Sequence, residues 1–372
     1  MAAAAAAALE DRSCVILATN DYSSHTYTLH HIDVAPFFSH PEPDGEAMDD
    51  IPLPPASARF DKPPFPRNCF VDFHLLRGGG IYGGGDVKVV STDGERRTII
   101  YDVARRAVRG GLVMRARKGS PISDSVGDGL FVLELVPDKG NGCFEALRYD
   151  RLREDWFWQS LPRPPYDPRN ERNFEKFRKF RRIIFLCREP GSTCSAVTAH
   201  TAAAGGRIWT YTKNAGTYSF DTRRRSWRKE GDWALPFVGK AEHVPVCGSA
   251  GLSFGFASIS GPLCAVDLAT ATAESPPEVR GVWEEFRLPG DWLGGTSSLV
   301  HLGSGKMCIF RFLGTIPSPP IDRSGKKPDR FVVITPVEVG PGDDDGREIK
   351  MVKHRSKRIK LDRLNGHMTW VL

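Results

Sequence analysis

At 372 residues with 40% hydrophobic side chains, the chain has ample apolar material for a packed core and is too apolar to stay disordered. A net charge of +6 is ordinary surface charge for this length, and no run of about 18 apolar residues is present to cross a bilayer. Glycine (37) and proline (28) make up about 17% of the residues against a usual roughly 12%, which favours many short strands joined by turns.

Residues 1–12 (MAAAAAAALEDR) read as a disordered tail. They lack the basic start of a signal peptide, so a cytoplasmic or nuclear protein is expected. Residues 13–38 read as two strands around Asn20-Asp21-Tyr22-Ser23. Residues 40–66 hold eight prolines and read as an exposed loop. DVKVVSTDGERRTIIYDV then forms a hairpin around Asp93-Gly94, which suits a type I′ turn. Further hairpins turn at Asn141-Gly142, Asn214-Ala215-Gly216, Ser260-Gly261 and Asp345-Gly346. Residues 362–372 read as a C-terminal tail.

These hairpins align on one dipeptide. Tyr101-Asp102, Tyr149-Asp150, Phe220-Asp221 and Val266-Asp267 each close a strand, at spacings of 48, 71 and 46 residues. Six residues after the first three aspartates stand Val108, Trp156 and Trp227. The fourth copy has Ala273 there, and Trp283 arrives late. The copies span about 68–118, 119–165, 193–236 and 243–288, with a weaker fifth at 295–361; residues 162–191 are an insertion. A period near 45–50 with four strands per copy predicts an all-β chain, a kelch-type β-propeller over 13–361. Six four-stranded blades come first, with five or seven as alternatives. In this picture the aspartate accepts backbone N–H groups in a turn, and the tryptophan fills the seam between neighbouring sheets.

Several stretches invite chemistry. RGGGIYGGG (Arg77 to Gly85) leads into a strand, not the helix N-terminus a phosphate loop needs. LGSGKM (Leu302 to Met307) lacks the P-loop spacing and reads as a turn between strands. Asp343-Asp344-Asp345-Gly346 lacks the alternating ligands of a calcium loop. His30 and His31 face opposite sides of a strand, so they do not share a metal with His25. His200, His243, His301 and His354 are isolated in sequence. None of the eight cysteines forms a CxxC pair; they read as buried, reduced thiols. No catalytic residue, metal or cofactor is expected.

Two basic runs remain. RNERNFEKFRKFRR (Arg169 to Arg182) spaces Phe174, Phe177 and Phe180 three apart, giving a helix an aromatic stripe with a basic remainder. It reads as an inserted helix packed on the sheets. Alternatively Phe174, Phe177, Arg178, Phe180 and Arg181 bind a partner, or the run binds nucleic acid. KMVKHRSKRIK (Lys350 to Lys360) reads as a final strand with a solvated face, or as a nuclear import signal. PRPPY (Pro162 to Tyr166) reads as a connector between repeats, or as a polyproline II ligand.

IIYDVARRAV, FEALRYDRLREDWFWQSLPRPPY, GGRIWTYTKNAGTYSFDTRRRSWRKEGDWALPF, RGVWEEF, LVHLGSGKMCIFRF and KMVKHRS resemble a family expanded in grasses, the domain of unknown function 1668. The resemblance runs from about residue 68 to 361 and implies a kelch-like propeller and a plant source. It carries over no catalytic or binding residue. Plant kelch-like propellers often follow an F-box; the dozen residues ahead of the first strand are too few for one, so an adaptor role is not expected. The function expected is a monomeric, non-enzymatic propeller that binds a protein partner through loops at one rim, with no membrane contact. The alternatives are an enzyme with a central-channel site and nucleic-acid binding through the two basic runs.

Overall fold

The computed structural model describes residues 12–21, 26–39, 41, 48–61, 70–78, 87–137, 142–166, 196–245, 251–316, 329–342, 348–361 and 369–372. Among them there is no α-helix, only 3-10 segments at Ala35–Ser39, Ala204–Gly206 and Leu268–Thr270. The strands begin with β1 (Cys14–Asp21), β2 (Thr26–Asp33), β3 (Met48–Asp50) and β4 (Ala56–Asp61). A meander follows: β5 (Val71–Arg77), β6 (Val87–Asp93), β7 (Arg97–Asp102) and β8 (Ala107–Val113). The next is β9 (Ile122–Val126), β10 (Gly129–Leu133), β11 (Phe144–Asp150) and β12 (Asp155–Ser160). Then come β13 (Val197–Ala203), β14 (Arg207–Thr212), β15 (Gly216–Asp221) and β16 (Ser226–Gly231). They are followed by β17 (Val238–Val244), β18 (Leu252–Phe256), β19 (Leu263–Asp267) and β20 (Glu278–Trp283). The chain ends with β21 (Trp292–Gly303), β22 (Lys306–Thr315), β23 (Arg330–Pro341), β24 (Ile349–Lys353), β25 (Ser356–Lys360) and β26 (Trp370–Val371).

The chain divides into two compact units. One comprises Lys62–Ala241 with Asp267–Glu278. It holds the antiparallel four-stranded sheets β5–β8 and β9–β12 and the antiparallel run β13–β16, each with its strands in chain order; β13–β16 is one half of an eight-stranded sheet that continues through a parallel pairing of β13 with β17. The middle sheet is covered on both faces. Successive residues of a strand point to opposite sides, so in GLFVL of β10 Leu130 and Val132 join Leu76, Val90 and Ile100 of the sheet before. Phe131 and Leu133 join Val197, Ile208 and Phe220 of the sheet after. That two-sided cover is why β10 is apolar throughout and buried throughout.

The aspartate turns recur with one geometry. Asp102 Oδ1 accepts the backbone N–H of Arg105 at 2.9 Å. Asp150 Oδ1 accepts from Leu152 and Arg153, and Asp221 Oδ1 from Arg223 and Arg224. Four residues after each aspartate the backbone turns left-handed, at Arg106 (φ 52°), Glu154 (φ 52°) and Arg225 (φ 55°). This returns the chain so that Tyr101 faces Val108, Tyr149 faces Trp156 and Phe220 faces Trp227. Trp156 lies in the seam with the preceding sheet, edge-on to Tyr149 at 5.3 Å. Trp227 lies in the next seam, 5.0 Å from Phe220 and 5.6 Å from Phe144. Val108, the equivalent in the first of these sheets, is 64% exposed. In the fourth copy Asp267 instead caps a 3-10 segment by accepting from Ala269 N, and the six-residue return is lost.

The other unit comprises Met1–Asp61, Glu242–Val266 and Val279–Leu372. Here β1 pairs β2 antiparallel, β4 extends β2, and β26 adds on the other side of β1. A long sheet runs β21-β22-β23-β25-β3, with β24 also on β23. It too is covered on both faces. Cys308, Phe310 and Phe312 of β22 pack with Val15, Leu17 and Ile32. Met307 and Ile309 pack with Leu252, Phe254 and Leu263 of β18 and β19.

Four expectations change. The left-handed residue of the β6–β7 turn is Arg96 (φ 68°), not Gly94, so this is not a two-residue type I′ turn; Asp93 Oδ1 accepts from both Glu95 N and Arg97 N. Within 40–66 lie β3 and β4, both paired to distant partners. The tail 362–372 ends in β26, which pairs β1 through Leu17 and Ala18. Lys350 to Lys360 forms two strands, β24 and β25, broken around His354 and Arg355. LGSGKM is, as expected, the β21–β22 turn, with Ser304 and Gly305 at positive φ.

Candidate functional site

The three aspartate turns of the Lys62–Ala241 unit present arginines to solvent. DVARR offers Arg105 and Arg106, DRLRE offers Arg151 and Arg153, and DTRRR offers Arg223, Arg224 and Arg225, all exposed. In each turn one arginine ion-pairs with its own aspartate: Arg105–Asp102 at 3.0 Å, Arg153–Asp150 at 3.6 Å and Arg224–Asp221 at 3.7 Å. Among the described residues Arg106, Arg151, Arg223 and Arg225 have no ion pair. Backbone N–H groups of Arg224 and Arg223 hold the Asp221 carboxyl below the usual carboxylate range. The Asp102 carboxyl is also held low: burial opposes this, but the backbone and side chain of Arg105 and the charge of Lys88 outweigh it. Leu152, at the tip of the middle turn between two arginines, is 97% exposed.

Neighbouring sheets bring these turns together. Arg109 of β8 pairs with Asp155 of β12 at 2.7 Å, three residues from Arg106 and next to Glu154. Arg148 of β11 donates to the carbonyl of Thr222 at 3.5 Å, next to Arg223.

At the opposite edge of the same unit the first strands of the three sheets are joined by polar side chains. His74 Nδ1 bonds Ser123 Oγ and its Nε2 bonds Thr92 Oγ1, both at 3.0 Å. Burial pushes this imidazole down to about 3, so it is neutral, with one nitrogen donating and the other accepting. Ser125 Oγ donates to the carbonyl of Leu75. His200 Nδ1 donates to Asp124 Oδ2 at 2.8 Å, both residues buried. Asp124 Oδ1 is buried without a partner. A histidine oriented by a carboxylate is half of a general-base arrangement. No hydroxyl or thiol among the described residues hydrogen-bonds Nε2 of His200. The buried thiols are inert by burial: Cys143 and Cys264 are each pushed up to about 11. The sequence gives no hint of the Asp124–His200 pair, whose members stand 76 residues apart.

The segment carrying Phe174, Phe177, Arg178, Phe180 and Arg181 lies outside the described residues, as do RGGGIYGGG beyond Gly78 and Asp343 to Gly346. In the basic run Lys350–Lys360 half of the six Lys/Arg side chains are held by carboxylates of β3: Lys357 and Arg355 pair with Asp49, and Arg358 pairs with Asp50 through two nitrogens. PRPPY is packed down. Trp227 Nε1 donates to the Pro162 carbonyl at 2.8 Å, and the buried Tyr166 ring lies 5.2 Å from Tyr218. No group of three His, Cys, Asp or Glu among the described residues could hold a metal ion, and among them no helix is long and apolar enough to cross a membrane.

Fold and turns together define an all-β protein of repeated four-stranded antiparallel sheets with a basic edge. The chain belongs to the family described as "Protein of unknown function (DUF1668)", whose model matches residues 12–359. No curated protein matches it. Among solved structures it is similar to the WD40 domain of SCAP from fission yeast, with 9% identity and a TM-score of 0.37 over 95% of this chain and 89% of that one, a likeness too slight to argue from.

Proposed function

We propose that the protein is a non-enzymatic β-propeller scaffold of kelch type that binds a protein partner through turns at one edge. Six groups of strands fit six blades: β1, β2, β4 and β26; β5–β8; β9–β12; β13–β16; β17–β20; and β21 to β25. The strand-closing aspartate and the seam tryptophan of β11–β12 and β15–β16 support the kelch reading. The observation that carries the function is the contrast between the two edges of the Lys62–Ala241 unit. The first strands tie their polar groups to each other, whereas the aspartate turns hold unpaired arginines in water. Affinity capture with the full chain from its own cells tests this. A reproducible protein partner that survives nuclease treatment supports the reading; no partner, or capture lost on nuclease treatment, contradicts it.

A second reading, catalysis at the inner edge, has the Asp124–His200 pair and the spare Asp124 Oδ1 in its favour. It requires a substrate that reaches Nε2 of His200 and whose turnover is lost in His200→Asn.

A further inference from the structure

The arginine turns carry more detail than a basic surface requires. Arg106 and Arg225 occupy left-handed backbone positions, φ 52° and 55°. That conformation strains a side-chain-bearing residue and suits glycine, so folding alone would favour glycine there. The aspartates are engaged by the turns themselves. Asp102 also faces Lys88 at 3.4 Å, and Asp155 is held by Arg109. The charge left to act outward is positive at the first and third turns. At the middle turn Glu154 offsets Arg151, and the outstanding feature is Leu152, fully in solvent.

From this geometry we infer that the three turns bind an extended acidic protein segment with an apolar residue at its centre. The inference rests on the protein-scaffold reading above. Acidic groups of the partner meet Arg106 on one side and Arg223 and Arg225 on the other, and the apolar residue covers Leu152. Packed sheets lie about 10 Å apart, so the outer turns are at least about 20 Å from each other. An extended chain advances about 3.3 Å per residue, which places the acids about three residues or more either side of the apolar anchor. A nucleic acid fits less well. Among the described residues these turns carry no aromatic ring on which a base would stack, and a phosphate backbone has no use for Leu152.

The probe is a fluorescent peptide EESGLGSEE, titrated with the full chain at about 0.15 M salt and followed by anisotropy. Saturable binding is expected. Replacing the peptide leucine by glycine, or Leu152→Ser in the protein, weakens it about fivefold, and the triple variant Arg106→Gln, Arg223→Gln, Arg225→Gln weakens it about tenfold or more. Both protein variants are expected to unfold at the wild-type temperature, which separates lost binding from lost folding. The inference is overturned if no binding is seen, if the glycine peptide binds as tightly, if the triple variant binds like wild type, or if a single-stranded or duplex oligonucleotide of equal charge displaces the peptide. Partner capture separates this from the broader reading. A captured partner retained by the triple variant overturns the inference and leaves the scaffold standing; no captured partner at all overturns the scaffold itself.

Discussion

His74 and the turn aspartates face opposite electrostatic problems. Asp102 and Asp221 are kept charged by N–H groups and guanidinium groups around them. His74 is kept neutral by burial, its pKa pushed down to about 3. In the unfolded chain a histidine titrates near 6.5. Between about pH 6.5 and pH 3 the unfolded state therefore takes up a proton that native His74 refuses, and stability falls as pH falls. The contribution is complete above about pH 6.5, and about 3 kcal/mol of it is lost by pH 4.5. His30 and His354, also held below their ordinary value by burial, act in the same direction. In His74→Gln the urea midpoint should decline less between pH 7 and pH 4.5 than in wild type. Parallel declines would assign the pH dependence elsewhere. Such a shift is invisible in the sequence, because it depends on β5 being covered by Ser123 and Thr92 from other strands.

The four-stranded sheet is stable because its central strands are buried on both faces while its last strand is not. β10 and β18 are buried throughout, whereas β8 is exposed along nearly its whole length. The seam tryptophans follow from this. Trp156→Ala opens a gap between two sheets and should lower stability by about 3–5 kcal/mol. Val108→Ala, at the equivalent position on the exposed β8, should change it by less than about 0.5 kcal/mol. Equal losses in a denaturant titration would contradict the seam assignment. These elements could be read from the chain, since the aspartate, the six-residue return and the tryptophan all lie within one copy. The β6–β7 turn was harder. Asp-Gly suggests a two-residue loop, but Asp93 also captures the N–H of Arg97 and draws the loop out to place Arg96 in the left-handed position.

Pairings between distant segments escape such reading. β3 sits in a proline-rich stretch and gains its identity from a parallel match of Met48 to Asp50 against Ser356 to Arg358. β26 is two residues long, and only β1 makes it a strand. Its neighbour Leu372 exchanges backbone hydrogen bonds with Ile16 at 3.0 and 2.9 Å, and Trp370 lies 6.0 Å from Tyr27. Deleting 369–372 leaves β1 as an open edge and should lower stability by about 2–4 kcal/mol, read as a reduced urea midpoint; an unchanged midpoint would show that β26 adds nothing. The candidate site was half readable. Aligning DVARR, DRLRE and DTRRR on their aspartates lines up the arginines, but their adjacency needs Arg109–Asp155 and Arg148–Thr222, which join separate copies.

In the proposed scaffold one repeated turn both returns the chain and displays charge, with the aspartate serving the fold and the arginines serving the partner. The most direct measurement is thermal unfolding and partner capture side by side on the double variant Arg106→Gly, Arg225→Gly. Glycine relieves the left-handed positions, so stability should hold or rise by up to about 1 kcal/mol while partner binding is lost. A fall in stability, or capture at the wild-type level, would mean that these arginines are there for the fold.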